Sequence, residues 1–224
     1  LHYPLRRQRQ MCIRDRAGYI DTQNVFTCGA SKPKVVSALA EMVADACKEL
    51  DRAGFSIVSV DEPFFAVMLG RRVLFDYDEG FLIETLNNIL DEIRCFSSTH
   101  VCGVITPLIK KVLLKSKVDI IDHEFEARPE NLRVYSRKEI EDNNKMLAFG
   151  CVSSQSLQIE SVDHIKRSIK RGLDAFGGEN MLFKPDCGFG GLMNISSAYD
   201  VAIQKLKNLT KAASEFKHDL KPSH

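Results

Sequence analysis

No stretch of this chain stays apolar for the roughly 18–20 residues that a helical bilayer crossing needs, so a cytoplasmic protein without membrane partners is expected. A strong charge of one sign is lacking too. The 224 residues sum to +1, and what imbalance exists is local. Residues 1–16 hold five arginines against one aspartate, a charge of +4 that leaves −3 on the rest. A mildly acidic body without a basic patch argues against a nucleic-acid partner. Cysteine is present but not organised. Seven of them, an odd number at scattered positions, make no disulfide framework and suit a reducing compartment where thiols stay free or bind metal. Internal repeats, low-complexity tracts and a composition shift that would mark a domain boundary are also missing. With 44% hydrophobic residues, the chain can still bury a substantial core.

The first sixteen residues, LHYPLRRQRQMCIRDR, show neither strand alternation nor a helical apolar face. They lack the serine content and continuous amphipathicity of a transit peptide. The string is similar to translated adapter sequence at the ends of some assembled reading frames. Residues 1–16 are therefore expected to be a non-native leader, with the natural protein beginning further upstream. Residues 17–212 then form the domain, and 213–224 a polar tail.

Past the leader, apolar periods of three to four and short apolar runs take turns. Helices are predicted over Lys34–Ala53, Gly80–Arg94, Pro107–Leu114, Arg137–Lys145, Val162–Ala175 and Ser197–Phe216. The inward stripe of the first is Val35, Ala38, Leu39, Met42, Val43, Ala46 and Leu50, and Gly54 stops it. In the second, Phe81, Ile83, Leu86, Ile89, Leu90 and Ile93 point inward. Strands are predicted over Phe55–Val60, Thr99–Cys102, Val118–Asp122, Met146–Val152 and Met181–Lys184. Such alternation builds parallel βα units. Each strand runs out into polar or reactive residues, the asymmetry of a (β/α)8 barrel, whose chemistry sits on the loops after the strands. Five strands fit either an open doubly wound sheet or the later five units of a TIM barrel, and the suspected leader favours the barrel.

Four strand ends carry side chains able to bind metal. They are Asp61 with Glu62, His100 with Cys102, His123 with Glu124, and Cys187 beside Asp186. In Ser98-Thr-His-Val-Cys-Gly103 the imidazole and thiol are two positions apart, so strand alternation points both to one face. His100, Cys102 and Cys187 supply one nitrogen and two thiolates, and a carboxylate could complete the four-ligand set zinc prefers. Plainer readings stand beside this one. Cys187 could be an ordinary buried thiol, Glu124 a solvated loop carboxylate, and Asp61 a cap for the turn before Pro63. His123 is expected on the sheet's other face and His164 in solvent. Cys28, Cys47, Cys95 and Cys151 have no partner at ligand spacing, and Cys47 is expected in the core. Gly188-Phe-Gly-Gly191 matches neither phosphate-loop pattern and reads as a turn leaving room at the barrel mouth.

Taken in order, five pieces resemble the catalytic domain of cobalamin-independent methionine synthase, above all its short archaeal-type homologues. They are Val60-Asp-Glu-Pro63, His100-Val-Cys102, Glu124-Phe125, the Val152–Ser156 loop with Glu160-Ser-Val162, and Pro185-Asp-Cys-Gly188. The likeness runs from about residue 30 to 212, in a superfamily shared with uroporphyrinogen decarboxylase and zinc-dependent coenzyme M methyltransferases. The resemblance implies a zinc-dependent methyltransferase that methylates the thiol of homocysteine to make methionine. It implies that His100, Cys102, Glu124 and Cys187 bind Zn2+, with Glu124 the ligand that gives way to the substrate thiolate. Asp61 would bind the amino group of homocysteine. The donor would be a methyl-corrinoid protein, which suits the short homologues, or a methyl-folate, which the long enzymes use. The family's early barrel strands are absent, so this piece is expected to be inactive alone. The alternatives are transfer to another thiol such as coenzyme M, or a zinc-binding fragment without turnover. Asp61 separates the two thiols, since it would attract an ammonium and repel a sulfonate. A full ligand set argues against a metal-free decarboxylase.

Overall fold

A computed structural model describes residues 33–61, 78–192 and 195–219. The expected leader and the Glu62-Pro63 half of the Asp-Glu-Pro motif lie outside these residues. Helices α1 (Pro33–Arg52), α2 (Glu79–Leu90), α3 (Pro107–Lys115), α4 (Arg137–Asp142), α5 (Val162–Phe176) and α6 (Ala198–Asp219) alternate with five strands. These are β1 (Ile57–Asp61), β2 (Phe96–Val101), β3 (Ile120–His123), β4 (Met146–Val152) and β5 (Met181–Pro185). Two 3-10 turns, Pro129–Arg133 and Phe189–Leu192, had no counterpart in the periodicity.

All four strand pairings are parallel, and the sheet order is the chain order, β1 through β5. A doubly wound sheet reverses its order at a switch point, and here nothing reverses. The described sheet is an arc of barrel strands, with helices over its outer face. Ser161 caps α5 by accepting from the His164 N–H at 3.2 Å. Thr106 and Pro107 start α3 just beyond the β2 exit.

The core lies between the sheet and its helices. Val58, Val101, Ile121, Leu147 and Phe149 point outward from the strands to meet Leu86, Ile109 and Ile165. Phe125 stacks on Phe149 with centroids 4.3 Å apart, and Phe176 meets Phe125 edge-on at 5.9 Å.

Four predicted helices differ in detail. Helix α1 buries Val36, Leu39, Ala40, Ala44 and Cys47, whereas Met42 is 60% exposed and Ala38 and Ala46 face solvent. Apolar residues cover more of this helix than one contact needs, and packing chose the stripe whose small Ala40 and Ala44 admit a close neighbour. In α2 the buried set is Leu82, Thr85, Leu86, Ile89 and Leu90, with Phe81 and Ile83 half-buried. Helix α4 stops before the expected Lys145. That side chain turns in to donate to the carbonyls of Ser116 and Val118 at 2.6 Å each, filling acceptors left free around the end of α3. Helix α6 continues past the expected Phe216 to Asp219.

Candidate metal centre

Strand alternation sends Ser98 and His100 of β2, Asp122 of β3 and Lys184 of β5 to the inner face of the arc. Just beyond the strands come Cys102, Glu124 and Cys187. One donor atom each from His100, Cys102, Glu124 and Cys187 lies within 4.8 Å of all the others. His100 and Glu124 are buried, and the two thiols are half-buried. Cys102 Sγ is 3.8 Å from Cys187 Sγ, and His100 Nε2 is 3.1 Å from Cys102 Sγ. Two thiolates bound at about 2.3 Å to one tetrahedral zinc stand about 3.8 Å apart. One nitrogen, two sulfurs and one carboxylate at this spacing fit a zinc ion, and all four are donors zinc accepts.

The surrounding backbone is tied to keep them there. The Gly103 N–H donates to Glu124 Oε2 at 2.9 Å, which requires the chain to turn sharply after Cys102. Gly103 does so at φ +81°, a conformation that strains residues with a Cβ. Fully buried Asn131, in the first 3-10 turn, accepts from the Ile105 N–H at 3.0 Å. Its amide donates to the carbonyls of Gly103 at 2.9 Å and Glu124 at 2.8 Å.

Asp186 was expected among the metal-capable strand ends, but it is not one of the four converging donors. It is fully buried, and its carboxylate accepts from the backbone N–H groups of Phe125, Glu126 and Ala127 at 2.7–3.0 Å. Burial raises its pKa, against the pull of those three donors. Gly150 on β4 makes room, since a Cβ there would stand 2.3 Å from Asp186 Oδ1 and 2.9 Å from the His123 carbonyl.

The charges of the pocket follow from burial and proximity. Burial alone would discharge His100, but the Asp122 carboxylate and the Cys187 sulfur outweigh it and push the imidazole up to about 10. Cys187 is pulled below the usual thiol range by hydrogen bonding from Cys102 and His100, while Cys102 is raised by the same contact with Cys187. Asp61, in register with His100, is raised by burial first and then by Asp122 and Cys187, with His100 opposing.

Other candidates lie elsewhere. His123 points to the outer face as expected, 3.2 Å from the Val101 carbonyl and 3.0 Å from the Tyr135 hydroxyl. Burial drops it to about 3. His164 is not simply solvated. Its Nε2 sits 2.6 Å from Glu126 Oε1, because the loop held by Asp186 aims Glu126 at α5, where Ser168 and Arg171 also bind it. Cys47 and Cys151 are buried free thiols, and Cys28 lies outside the described residues. At Gly188 and Gly191 an added Cβ would meet nothing within 4 Å.

Three residues of the centre had no place in the motif reading: Asp122, Lys184 and Asn131. Strand parity could have flagged Asp122, two residues before Glu124 and so on its face. A fourth, fully buried Lys205 of α6, binds both oxygens of Glu160 at 2.8–3.0 Å and the Ser153 carbonyl at 2.9 Å. It pins the Ser153–Ser156 loop beside a cleft of about 420 Å³ whose lining includes Glu126, Gln158, His164 and Arg167.

Residues 27–215 match the family described as cobalamin-independent synthase, catalytic domain. A curated methionine synthase from Methanothermobacter marburgensis is 35% identical over 191 residues, covering 85% of this chain and 57% of that protein. The methionine synthase of Methanothermobacter thermautotrophicus is 33% identical over 182 residues, covering 81% and 54%. The chain therefore spans somewhat more than half the length of these curated relatives. A solved B12-independent methionine synthase from Shewanella sp. W3-18-1, in complex with selenomethionine, aligns with a TM-score of 0.68 at 21% identity over 85% of this chain and 57% of that one. At that identity, what is shared is the barrel fold. Among the described residues no helix is long and apolar enough to cross a membrane.

Proposed function

The chain belongs to the cobalamin-independent synthase catalytic-domain family, and from that premise we propose that it supplies the thiol-activating centre for methyl transfer to homocysteine. The observation that carries this reading is the convergence of His100, Cys102, Glu124 and Cys187 within 4.8 Å at the ends of three strands. These four residues would hold zinc. A bound zinc supplies Lewis acidity that keeps an acceptor thiol ionised at neutral pH, where a free thiol of pKa about 8.5 is only a few per cent thiolate.

The chain's own residues do the rest. His100 keeps its Nδ1 proton on Asp122 and turns Nε2 to the cluster. The Gly103 N–H holds one oxygen of Glu124 at 2.9 Å and so fixes the carboxylate beside the cluster. Asp61, half-buried and crowded by anions, gains from a cation beside it, which supports its role in binding the substrate ammonium. In the transfer, a sulfur lone pair forms the new carbon–sulfur bond, and the electron pair of the breaking bond stays with the donor. Homocysteine suits this pocket better than coenzyme M, whose sulfonate Asp61 would repel.

The test is the zinc content of the purified chain beside Cys187→Ala, followed by thiol titration. One zinc per chain, lost in the variant, with homocysteine bound more tightly than coenzyme M, is expected. Well-folded protein that holds no zinc would overturn the reading. Equal or tighter binding of coenzyme M would overturn the choice of acceptor.

A further inference from the structure

Behind the four donors lies a pair of opposite charges on the inner face. Asp122, 9% exposed, is paired in register with His100 across β2 and β3. Its Oδ1 stands 2.7 Å from His100 Nδ1 and 2.7 Å from Lys184 Nζ. Lys184 spends its other two protons on the carbonyls of Pro185 and Asp186, both at 2.7 Å. An ammonium has three donors, so none is left over for a substrate anion. A substrate-binding lysine is thereby set aside.

The connections say what the pair does instead. The two carbonyls held by Lys184 belong to the residues directly ahead of Cys187. The carboxylate oxygen that meets this ammonium also accepts the Nδ1 proton of His100. One atom of Asp122 thus joins the imidazole delivered by β2 to the backbone that delivers a thiol after β5, across the width of β3 and β4. An acceptor at Nδ1 also selects the ring form whose lone pair is on Nε2, the nitrogen 3.1 Å from Cys102 Sγ.

We propose that Asp122 and Lys184 are a positioning pair for the metal centre, setting the ring form and aim of His100 and holding the Cys187 segment in reach of it. The proposal rests on the zinc reading above. Neither residue touches the reacting atoms, so the pair acts through the ligands. Carboxylates placed behind a metal-binding histidine typically contribute about 10–100-fold in metal affinity.

The experiment is zinc competition against a chromophoric chelator for the full chain and for Asp122→Ala, Asp122→Asn, Lys184→Met and the Asp122→Ala/Lys184→Met double variant. Proton NMR of the zinc-loaded protein accompanies it, following the His100 Nδ1–H. Asp122→Ala is expected to weaken zinc about 10–100-fold and to lose the sheltered Nδ1–H resonance. Asp122→Asn should lose less, since its amide oxygen can still accept that proton. Lys184→Met should weaken zinc alone but add little once Asp122 is gone, the non-additivity that marks one unit. Unchanged affinity in folded Asp122→Asn and Lys184→Met, or strictly additive losses, would overturn the pair while leaving the zinc site standing. Absence of zinc from the folded unsubstituted chain would overturn both.

Discussion

His100 and His123 stand on neighbouring strands, one on each face of a single sheet, and the two faces treat the imidazole in opposite ways. On the inner face His100 meets a carboxylate and two thiols, and is held charged up to about 10 in the metal-free protein. On the outer face His123 meets a carbonyl, a tyrosine hydroxyl and aromatic rings, and stays neutral down to about 3. Burial alone cannot explain the contrast, since 5% of one residue is exposed and none of the other. What differs is the company each ring keeps. The outer face is built to exclude water, and the inner face to concentrate charge where a ligand can use it.

The largest effect that probes this division is expected on the outer face. Phe149→Ala removes a fully buried ring packed against Phe125, Phe176 and Phe183. It should cost about 3–5 kcal/mol in urea unfolding while leaving zinc per folded chain unchanged. Loss of zinc from the folded variant would break the division between the faces.

Asn131→Ala is expected to show where the faces meet. It strips partners from the Ile105 N–H and from the carbonyls of Gly103 and Glu124. A loss of at least about 2 kcal/mol follows from those unsatisfied groups. Because the Glu124 peptide loses its tether, zinc affinity should fall as well. Thermal melts paired with zinc competition would check this, and a stability loss with intact affinity would put Asn131 wholly on the structural side.

The smallest effect is a pH dependence, read in metal-free protein. His123 drops from 6.5 to about 3 on folding, so below pH 6.5 the unfolded chain takes up a proton that the folded chain refuses. Its contribution is present above pH 6.5 and is lost as pH falls toward 3. That loss is about 1 kcal/mol over the first pH unit. Urea midpoints of His123→Phe against the unsubstituted chain should show the acid-side slope flattened in the variant. His100 works the other way: its contribution is present below pH 6.5 and is lost as pH rises toward 10. Equal slopes in both proteins would remove His123 from the account.

Much of the fold was legible because its signals are local. Strand β4 was predicted at its observed bounds, Met146–Val152, since a long apolar run between polar turns has few alternative readings. The rotated stripe of α1 was not legible, because Ala38 and Ala40 look alike until a neighbour chooses between them. Parity along β2 brings His100 and Cys102 to one side from sequence alone, but whether Cys187 was a core thiol or a partner stayed open. Asp122 and Lys184 escaped because each looks like an ordinary strand-end charge until the other stands 2.7 Å away.

By itself, then, the sequence determined the alternation of helices and strands and the polar ends at which chemistry could sit, because periodicity and strand parity depend on neighbours in the chain. Only the tertiary structure decided that Cys102 and Cys187, 85 residues apart, come within 3.8 Å. It also decided that Asp186 serves the backbone rather than the cluster. Those outcomes depend on sheet order and register, including the irregularity between Gly150 and Val152. Distances across five strands are set by every strand between the partners, and no local pattern encodes them.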